Sequence, residues 1–168
     1  MSVRKEGKIK GYDINDPKQK EELVRYLAEE YAAGKSIKEA LGVSDRLLEN
    51  LYAVAYRKYQ SGDYSKAADL FRYLLMFDDR CYKYLLGLAA SLHKLEEWRL
   101  ATHLYLVAAI YNPEDPVAYF HAADCLMHLG ETEAALANLE IASAYAKQQE
   151  QYRELGERAN LIINALSS

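Results

Sequence analysis

Apolar residues recur every 34 residues along this chain, through three consecutive units of the sequence. Six positions keep this register. The six sets are Ala55, Ala89 and Ala123; Ala67, Ala101 and Ala135; Leu51, Leu85 and Tyr119; Val54, Leu88 and Ala122; Phe71, Tyr105 and Leu139; and Leu74, Ala108 and Ala142. An alanine-rich helical bundle can show single matches by chance, but six positions in one register favour a stack of equivalent units.

The spacing of apolar residues within each unit is helical, and no alternating run is long enough for a sheet, so an all-α chain is predicted. The alanines fall where two antiparallel helices would approach most closely. The bulky residues would then fill the space between one helix pair and the next. Turns are predicted at Gly62, Glu96 and Gly130, and Pro113 marks the end of the second unit.

A period of 34 residues resembles that of the tetratricopeptide repeat, or TPR, which is a pair of antiparallel helices. The resemblance implies an α-solenoid of three TPRs, at residues 48–81, 82–115 and 116–147. One such repeat cannot bury its apolar face alone, and three are about the minimum for a stable stack.

Local signals predict helices ahead of the repeats. Asp16 and Pro17 have the pattern of an N-cap followed by proline at the first helical position, and Gly34 fits the end of that helix. Ser36 and Glu39 have the spacing of a capping box, which predicts a short second helix.

Three further segments complete the predicted organisation. Residues 1–15 form a flexible tail, since short charged termini are usually mobile. Residues 16–47 form an N-terminal helical segment that could also be a homodimer interface. Residues 148–168 carry an apolar stripe typical of a capping helix at the end of a solenoid. That stripe comprises Tyr152, Leu155, Ala159, Ile162, Ile163 and Leu166.

Composition argues against several classes of function. The formal net charge is −4 and the basic residues form no stripe, so a nucleic-acid partner is not expected. No apolar run approaches the roughly 20 residues of a membrane span, and the N-terminus lacks the apolar core of a secretory signal. Two cysteines make no disulfide framework, so a reducing compartment, the cytoplasm, is predicted.

Catalytic and metal-binding signals are weak. His121, Cys125 and His128 share one helix face, but no fourth ligand is evident, so no metal or other cofactor is predicted. Adjacent acidic pairs do not face each other on a helix and make poor general acid–base pairs. The sequence also lacks a phosphate-binding loop and a nucleophile motif, so the protein is not expected to be an enzyme.

Three tyrosines in the first repeat point to a binding surface. Tyr52, Tyr56 and Tyr59 have the spacing of a single helix face. The core face of this helix is assigned to Leu47, Leu51, Val54 and Ala55, so the tyrosines form a second apolar face. Such a face is either covered, here by the N-terminal helix, or free to bind a partner.

In the TPR family, the first helix of each pair lines a concave groove. Carried over to this sequence, the groove positions are Tyr52, Tyr56, Tyr59, Leu86, Ala90, His93, Phe120, Asp124 and Met127, with Val117 at the edge. Apart from the tyrosines, only Asp124 and His93 are ionisable in this set, so salt should have little effect on binding.

A closer resemblance covers roughly residues 33–145. The runs LYAVAY, YQSGDYSKAADLF, GLAASL and HAADCLMHLGETEAALANL are similar to those of class II chaperones of bacterial type III secretion systems. The resemblance implies a cytoplasmic chaperone that holds the two hydrophobic translocator proteins before export. It also implies that the groove takes an extended translocator segment through small apolar anchors.

The alternative is a TPR adaptor or scaffold for another partner. Adaptors that grip a C-terminal carboxylate use lysine and asparagine on the groove helix of the first repeat. Tyr52 and Tyr56 stand at those positions here, and His121 stands where an arginine would be expected. The carboxylate clamp is therefore absent, and an acidic C-terminal tail is a poor ligand.

Overall fold

A computed structural model describes residues 8–167 of the chain and is helical over most of that range. Six antiparallel helices form the three repeats. They are α3 (Asp45–Gln60), α4 (Tyr64–Phe77), α5 (Tyr82–Lys94), α6 (Trp98–Tyr111), α7 (Pro116–His128) and α8 (Thr132–Ala146). Each helix packs on the next one in sequence, from α3 to α8, as expected for a solenoid.

The 34-residue register is the core of the fold. All six alanines of the two all-alanine sets have no exposed surface, because they lie where paired helices meet. The bulky set of Phe71, Tyr105 and Leu139 is also fully buried and joins successive layers. The helical repeat fold predicted from the sequence is confirmed.

The three turns inside the repeats share one backbone conformation. Gly62 has φ 80°, Glu96 φ 62° and Gly130 φ 74°, all in the left-handed region. Glycine adopts this region at little cost, whereas a residue with a β-carbon is strained there. The second repeat therefore carries at Glu96 a strain that the other two repeats avoid.

The N-terminal segment contains α1 (Pro17–Ala32) and α2 (Ile37–Leu41). The Asp16 side chain accepts hydrogen bonds from the first turn of α1, and Gly34 follows that helix with φ 92°. Ser36 and Glu39 form the predicted capping box of α2. These helix ends follow the sequence because capping depends only on neighbouring residues.

Polar contacts join this segment to the first repeat. The Tyr31 hydroxyl donates to Asp79 Oδ2 at 2.5 Å, and Arg80 Nη1 donates to the Gly34 carbonyl at 3.2 Å. Lys38 Nζ lies 2.9 Å from Asp45 Oδ1. The segment therefore lies at the α4–α5 turn, beside the solenoid.

A small hairpin precedes α1, where the sequence predicts only a flexible tail. Strand β1 (Lys8–Ile9) pairs antiparallel with β2 (Tyr12–Asp13) through a turn with positive φ at Lys10 and Gly11. The Asp13 N–H donates to Gln19 Oε1 at 3.0 Å and ties the hairpin to α1. Strands of two residues are too short to show alternation, which explains the difference. Residues 1–7 of the predicted tail lie outside the described residues.

The C-terminal segment comprises a 3-10 helix (Glu150–Tyr152) and α9 (Arg153–Leu166). Helix α9 packs on α8 and reaches α7, where Ala159 and Ile162 join a core cluster around Phe120 and Leu139. Helix α9 therefore covers the last repeat, as predicted for a capping helix. Among the described helices, none has the length and apolar character needed to cross a bilayer.

One core assignment is wrong. Leu47 was expected on the buried face of α3, but it is 60% exposed, and its neighbour Leu48 is buried. Both residues lie in the first turn of α3, where successive side chains point in directions about 100° apart. Packing of α3 against the rest of the fold decides which of the two side chains is buried.

Candidate binding groove

A cavity of about 140 Å3 lies between α3, α4 and α5. We call it the apolar cavity. It is lined by Tyr52, Tyr56, Tyr59, Phe71, Lys83, Leu86, Gly87 and Ala90. The first helices of two successive repeats supply most of this lining, in agreement with the positions carried over from the TPR family.

A second cavity, of about 320 Å3, lies further along the same face. We call it the polar cavity. It is lined by Tyr59, Ala90, His93, Lys94, Tyr105, Phe120, His121, Asp124, Met127, Arg158 and Ile162. Tyr59 and Ala90 line both cavities, so the two form one groove that runs from α3 to α9.

Nine of the ten predicted groove residues line one or both cavities, and Val117 lines neither. Val117 is half-buried in the first turn of α7, where its N–H donates to the Asp115 carboxylate at 2.9 Å. No described residue of the N-terminal segment lines either cavity, so that segment does not cover the tyrosines. That these residues bind a partner stays a prediction.

Stacked aromatic rings build the wall of the apolar cavity. The Tyr52 ring stacks on Tyr56 with centroids 6.2 Å apart, and its edge meets Phe71 at 5.9 Å. The Tyr59 ring meets Tyr64 edge-on at 5.4 Å. Burial raises the pKa of both Tyr52 and Tyr59, so these phenols stay neutral. The rings are mutually supported, which favours a preformed wall over one assembled on binding.

A lysine that the family mapping did not include borders this wall. Lys83 Nζ lies 4.7 Å from the centroid of the Tyr52 ring and also forms an ion pair with Glu49. A cation above an aromatic face is attracted by the ring electrons, which helps to fix the orientation of Tyr52.

A histidine, a carboxylate and a phenol meet in the polar cavity. His93 Nε2 lies 3.1 Å from Asp124 Oδ2, and Nδ1 lies 3.4 Å from the Tyr105 hydroxyl. Because a carboxylate only accepts, Nε2 carries the proton, and in the neutral ring Nδ1 accepts from Tyr105. The hydrogen bond from His93 lowers the pKa of Asp124. The carboxylate is therefore ionised and already has a partner.

His121 lies beside this group in a more buried position. Burial, with the nearby His93, lowers the pKa of His121 to about 4, so its ring is neutral near pH 7. The ring stacks on Tyr105 at 5.5 Å and meets Phe120 edge-on at 5.6 Å. Within residues 8–167, neither ring nitrogen has a hydrogen-bond partner.

Positive charge in the groove exceeds the sequence expectation. Besides Asp124 and His93, the groove contains Lys83, Lys94 and Arg158. These three residues are not among the ten mapped positions, so the weak salt dependence expected from the mapped positions does not follow for the whole groove. Arg158 belongs to α9 and lies 5.2 Å from the centroid of the Phe120 ring, a contact that repeat periodicity cannot reveal.

The histidines and the cysteine considered as metal ligands have other surroundings. Burial raises the pKa of the Cys125 thiol to about 12, and the His128 ring stacks on Trp98 at 4.1 Å. His121 faces the polar cavity. In the part of the chain that the structure describes, no three His, Cys, Asp or Glu side chains converge as a metal site.

Known proteins share both the sequence and the fold. A tetratricopeptide repeat family model matches residues 48–79 and 82–115. The low calcium response locus protein H of Yersinia pestis is 33% identical over 124 residues, which cover 74% of each chain. The solved type III secretion translocator chaperone SycD of Yersinia enterocolitica is 31% identical, with a TM-score of 0.73 over 78% of this chain and 98% of SycD. The chain belongs to the class II type III secretion chaperones.

Other structures of class II chaperones bear on the groove and on assembly. PcrH, solved in complex with the chaperone binding region of PopD, is 32% identical to this chain, with a TM-score of 0.73 over 75% of this chain and 95% of PcrH. SycD has also been solved as an alternative dimer. Membership of this family confirms the resemblance seen in the sequence.

Proposed function

We propose that this class II chaperone binds an extended segment of a hydrophobic translocator in its groove and keeps that protein soluble before export. The observation that carries the proposal is a continuous groove on the first helices of the repeats, free of the N-terminal segment. The complex of PcrH with the chaperone binding region of PopD supports the assignment.

The mechanism we propose is masking. A protein that inserts into membranes carries apolar stretches that aggregate in water when no partner covers them. A groove that takes an unfolded segment holds the partner without requiring it to fold, which suits later export. The aromatic wall reduces the ordering cost on the chaperone side, because its rings are already packed against each other.

The apolar cavity suits a small aliphatic side chain. Gly87 and Ala90 lack bulk at its floor, whereas Tyr52 and Tyr56 form one side. Tyr56 is 47% exposed, so a partner side chain would cover surface that is now in water. Desolvation of this ring around an aliphatic anchor would supply much of the affinity.

A role without catalysis is part of this proposal. The group of Tyr105, His93 and Asp124 has the hydrogen-bonding order of a nucleophile, a base and an orienting acid. However, Tyr105 is only 1% exposed, and burial raises its pKa, which disfavours the phenolate. A hydroxyl that is buried and hard to ionise is a poor nucleophile, so the group serves to order the groove. The proposed compartment is the cytoplasm, where translocators await export.

Co-expression tests the proposed function directly. The chain would be expressed with each hydrophobic reading frame of the neighbouring secretion genes, with a tag on the translocator. We expect the translocator to be soluble and to co-purify only when the chaperone is present. Translocators that stay equally insoluble with and without the chaperone would contradict the proposal. Tyr56→Ala is the test variant, and Tyr73→Ala on α4 is the control, since Tyr73 is exposed and lines neither cavity.

We also propose that the N-terminal segment mediates self-association. Val24 on α1 is 59% exposed, while Leu23 beside it is buried within the protein. Packing against a second copy would remove this apolar side chain from water. The alternative dimer of SycD supports self-association as a property to test here.

A further inference from the structure

Resting on the proposed function, we propose that the polar cavity recognises a carboxylate side chain of the bound segment, about three residues from its apolar anchor. The ligand is an aspartate or glutamate inside an extended stretch. It differs from the C-terminal carboxylate excluded above, because the two cations that would hold it, Lys94 and Arg158, do not stand at the clamp positions.

Hydrogen-bond donors outnumber negatively charged acceptors in the lining of the polar cavity. Lys94 and Arg158 line the polar cavity and can only donate, and the guanidinium presents five N–H groups. The lining holds a single carboxylate, that of Asp124. A ligand group that only accepts hydrogen bonds, such as a carboxylate, therefore matches the donors that Lys94 and Arg158 offer.

Asp124 is the one carboxylate of this lining against two cations, and it already has a hydrogen-bond partner. Its carboxylate lies 3.1 Å from His93 Nε2, and this hydrogen bond lowers its pKa. The cations of Lys94 and Arg158 have no such partner, because neither forms an ion pair among the described residues. The charge left over in the cavity is positive, although the whole chain carries a formal net charge of −4.

His121 has hydrogen-bonding capacity that no described residue uses. Its ring lies between Tyr105 and Phe120 and faces the cavity with no hydrogen bond to the described residues. A neutral imidazole donates from one nitrogen. It can therefore add a short-range hydrogen bond to the charge attraction of Lys94 and Arg158.

The expected spacing follows from helix geometry. Helix α5 supplies Leu86 to the apolar cavity and His93 to the polar cavity. A separation of seven residues along a helix rises about 10 Å, at 1.5 Å per residue. An extended chain covers this distance in about three residues, at roughly 3.3 Å each. The carboxylate should therefore lie about three positions before or after the apolar anchor.

Peptide selection tests the inference without a known partner. Random peptides displayed on phage would be selected on the full-length protein and on Arg158→Gln, Arg158→Lys and Arg99→Gln. Arg99→Gln is the matched control. Arg99 is exposed and lies outside the groove, and its substitution removes the same positive charge as Arg158→Gln. Circular dichroism confirms that each variant is folded. Selected peptides are then synthesised with aspartate or asparagine at the enriched position, and their affinities are measured by fluorescence anisotropy.

We expect enrichment of an acidic residue at a fixed distance from a small aliphatic one. The aspartate peptide should bind about fivefold or more tightly than its asparagine counterpart. This preference should be lost in Arg158→Gln and retained in Arg158→Lys and Arg99→Gln. Aliphatic enrichment without an acidic residue, or a preference unchanged in Arg158→Gln, would overturn this inference and leave the proposed function standing. Absence of any aliphatic enrichment would count against the proposed function as well.

Discussion

The Phe71 ring lies directly against the backbone of Gly87, across the interface between α4 and α5. A β-carbon on residue 87 would lie 2.8 Å from Cδ1 of that ring and closer still to Cε1 and Cζ. Phe71 is buried and also supports the Tyr52 ring at the wall of the apolar cavity. The absence of a side chain at Gly87 therefore helps to set both the packing and the depth of the groove.

Gly87→Ala should destabilise the protein by about 1–3 kcal/mol, because the Phe71 ring must move within a packed interior. Urea unfolding monitored by circular dichroism measures the change. The control is the double variant with Phe71→Leu, which makes room for the new methyl group. The two substitutions should cost less together than the sum of their separate effects. Additive costs would show that the contact is not the cause.

Glu96→Gly should stabilise the fold by about 0.5–1 kcal/mol, since residue 96 has φ 62° and glycine removes the strain. The Glu96 side chain makes no hydrogen bond or ion pair within residues 8–167, so little is lost with it. Thermal unfolding is the measurement. Gly130→Ala, in the same turn of the next repeat with φ 74°, should change stability in the opposite direction. If the Glu96→Gly variant is no more stable than the parent, the backbone conformation of Glu96 does not destabilise the fold.

Acid should weaken the fold through His121. Its pKa falls from an ordinary value of 6.5 to about 4 on folding, so between these values only the unfolded chain binds the proton. The free energy of unfolding therefore decreases as the pH falls from 6.5 towards 4. Between pH 7 and pH 5 this group should account for a loss of about 1–2 kcal/mol.

Urea unfolding at pH 7 and pH 5 checks this dependence in the parent protein and in His121→Gln. The loss between the two pH values should be clearly smaller in the variant. His103→Gln is the matched control, because His103 is exposed on α6 and outside the groove, and it should keep the full loss. Equal losses in His121→Gln and the parent would refute the assignment.

Tyr56 and Tyr59 should carry much of the affinity for the partner. Truncation of a central aromatic residue costs roughly 1–3 kcal/mol, which is about tenfold to a hundredfold in affinity. Tyr56→Ala should affect binding more than folding, since about half of this residue is exposed. Tyr59→Ala also removes the ring contact with Tyr64, so its folding must be checked first. A folded double variant that binds its translocator with unchanged affinity would exclude these residues as the anchor site.

Val24→Asp should reduce self-association without unfolding the protein, because a charge on this exposed site disfavours an apolar interface. Light scattering of the parent and the variant measures the mass. Leu100→Asp is the control, since Leu100 is also more than half exposed but lies on α6, away from the N-terminal segment. If Val24→Asp and a deletion of residues 1–34 both leave the mass unchanged, α1 is not the interface.

Local sequence determined the helices, their caps and the repeat register. Capping by Asp16 and Ser36 involves only neighbouring residues, so these helix starts could be predicted. The alanines at 34-residue intervals could likewise be assigned to the core, because only small side chains fit where paired helices meet. The groove positions on the first helices followed from the family resemblance, and nine of the ten lie at the cavities.

Only the tertiary structure decided which charges enter the groove and how each helix is rotated. Arg158 meets Phe120 because α9 packs across α7, and His93 meets Asp124 across two successive repeats. Leu48, and not the expected Leu47, lies on the buried face of α3 for the same reason. These relationships depend on the rotation and crossing of helices, which are set by side chains distant in sequence. Sequence periodicity predicts which face of a helix is buried, with an error of about one residue. Contacts between repeats depend on the rotation of each helix, which has to be known more accurately than that.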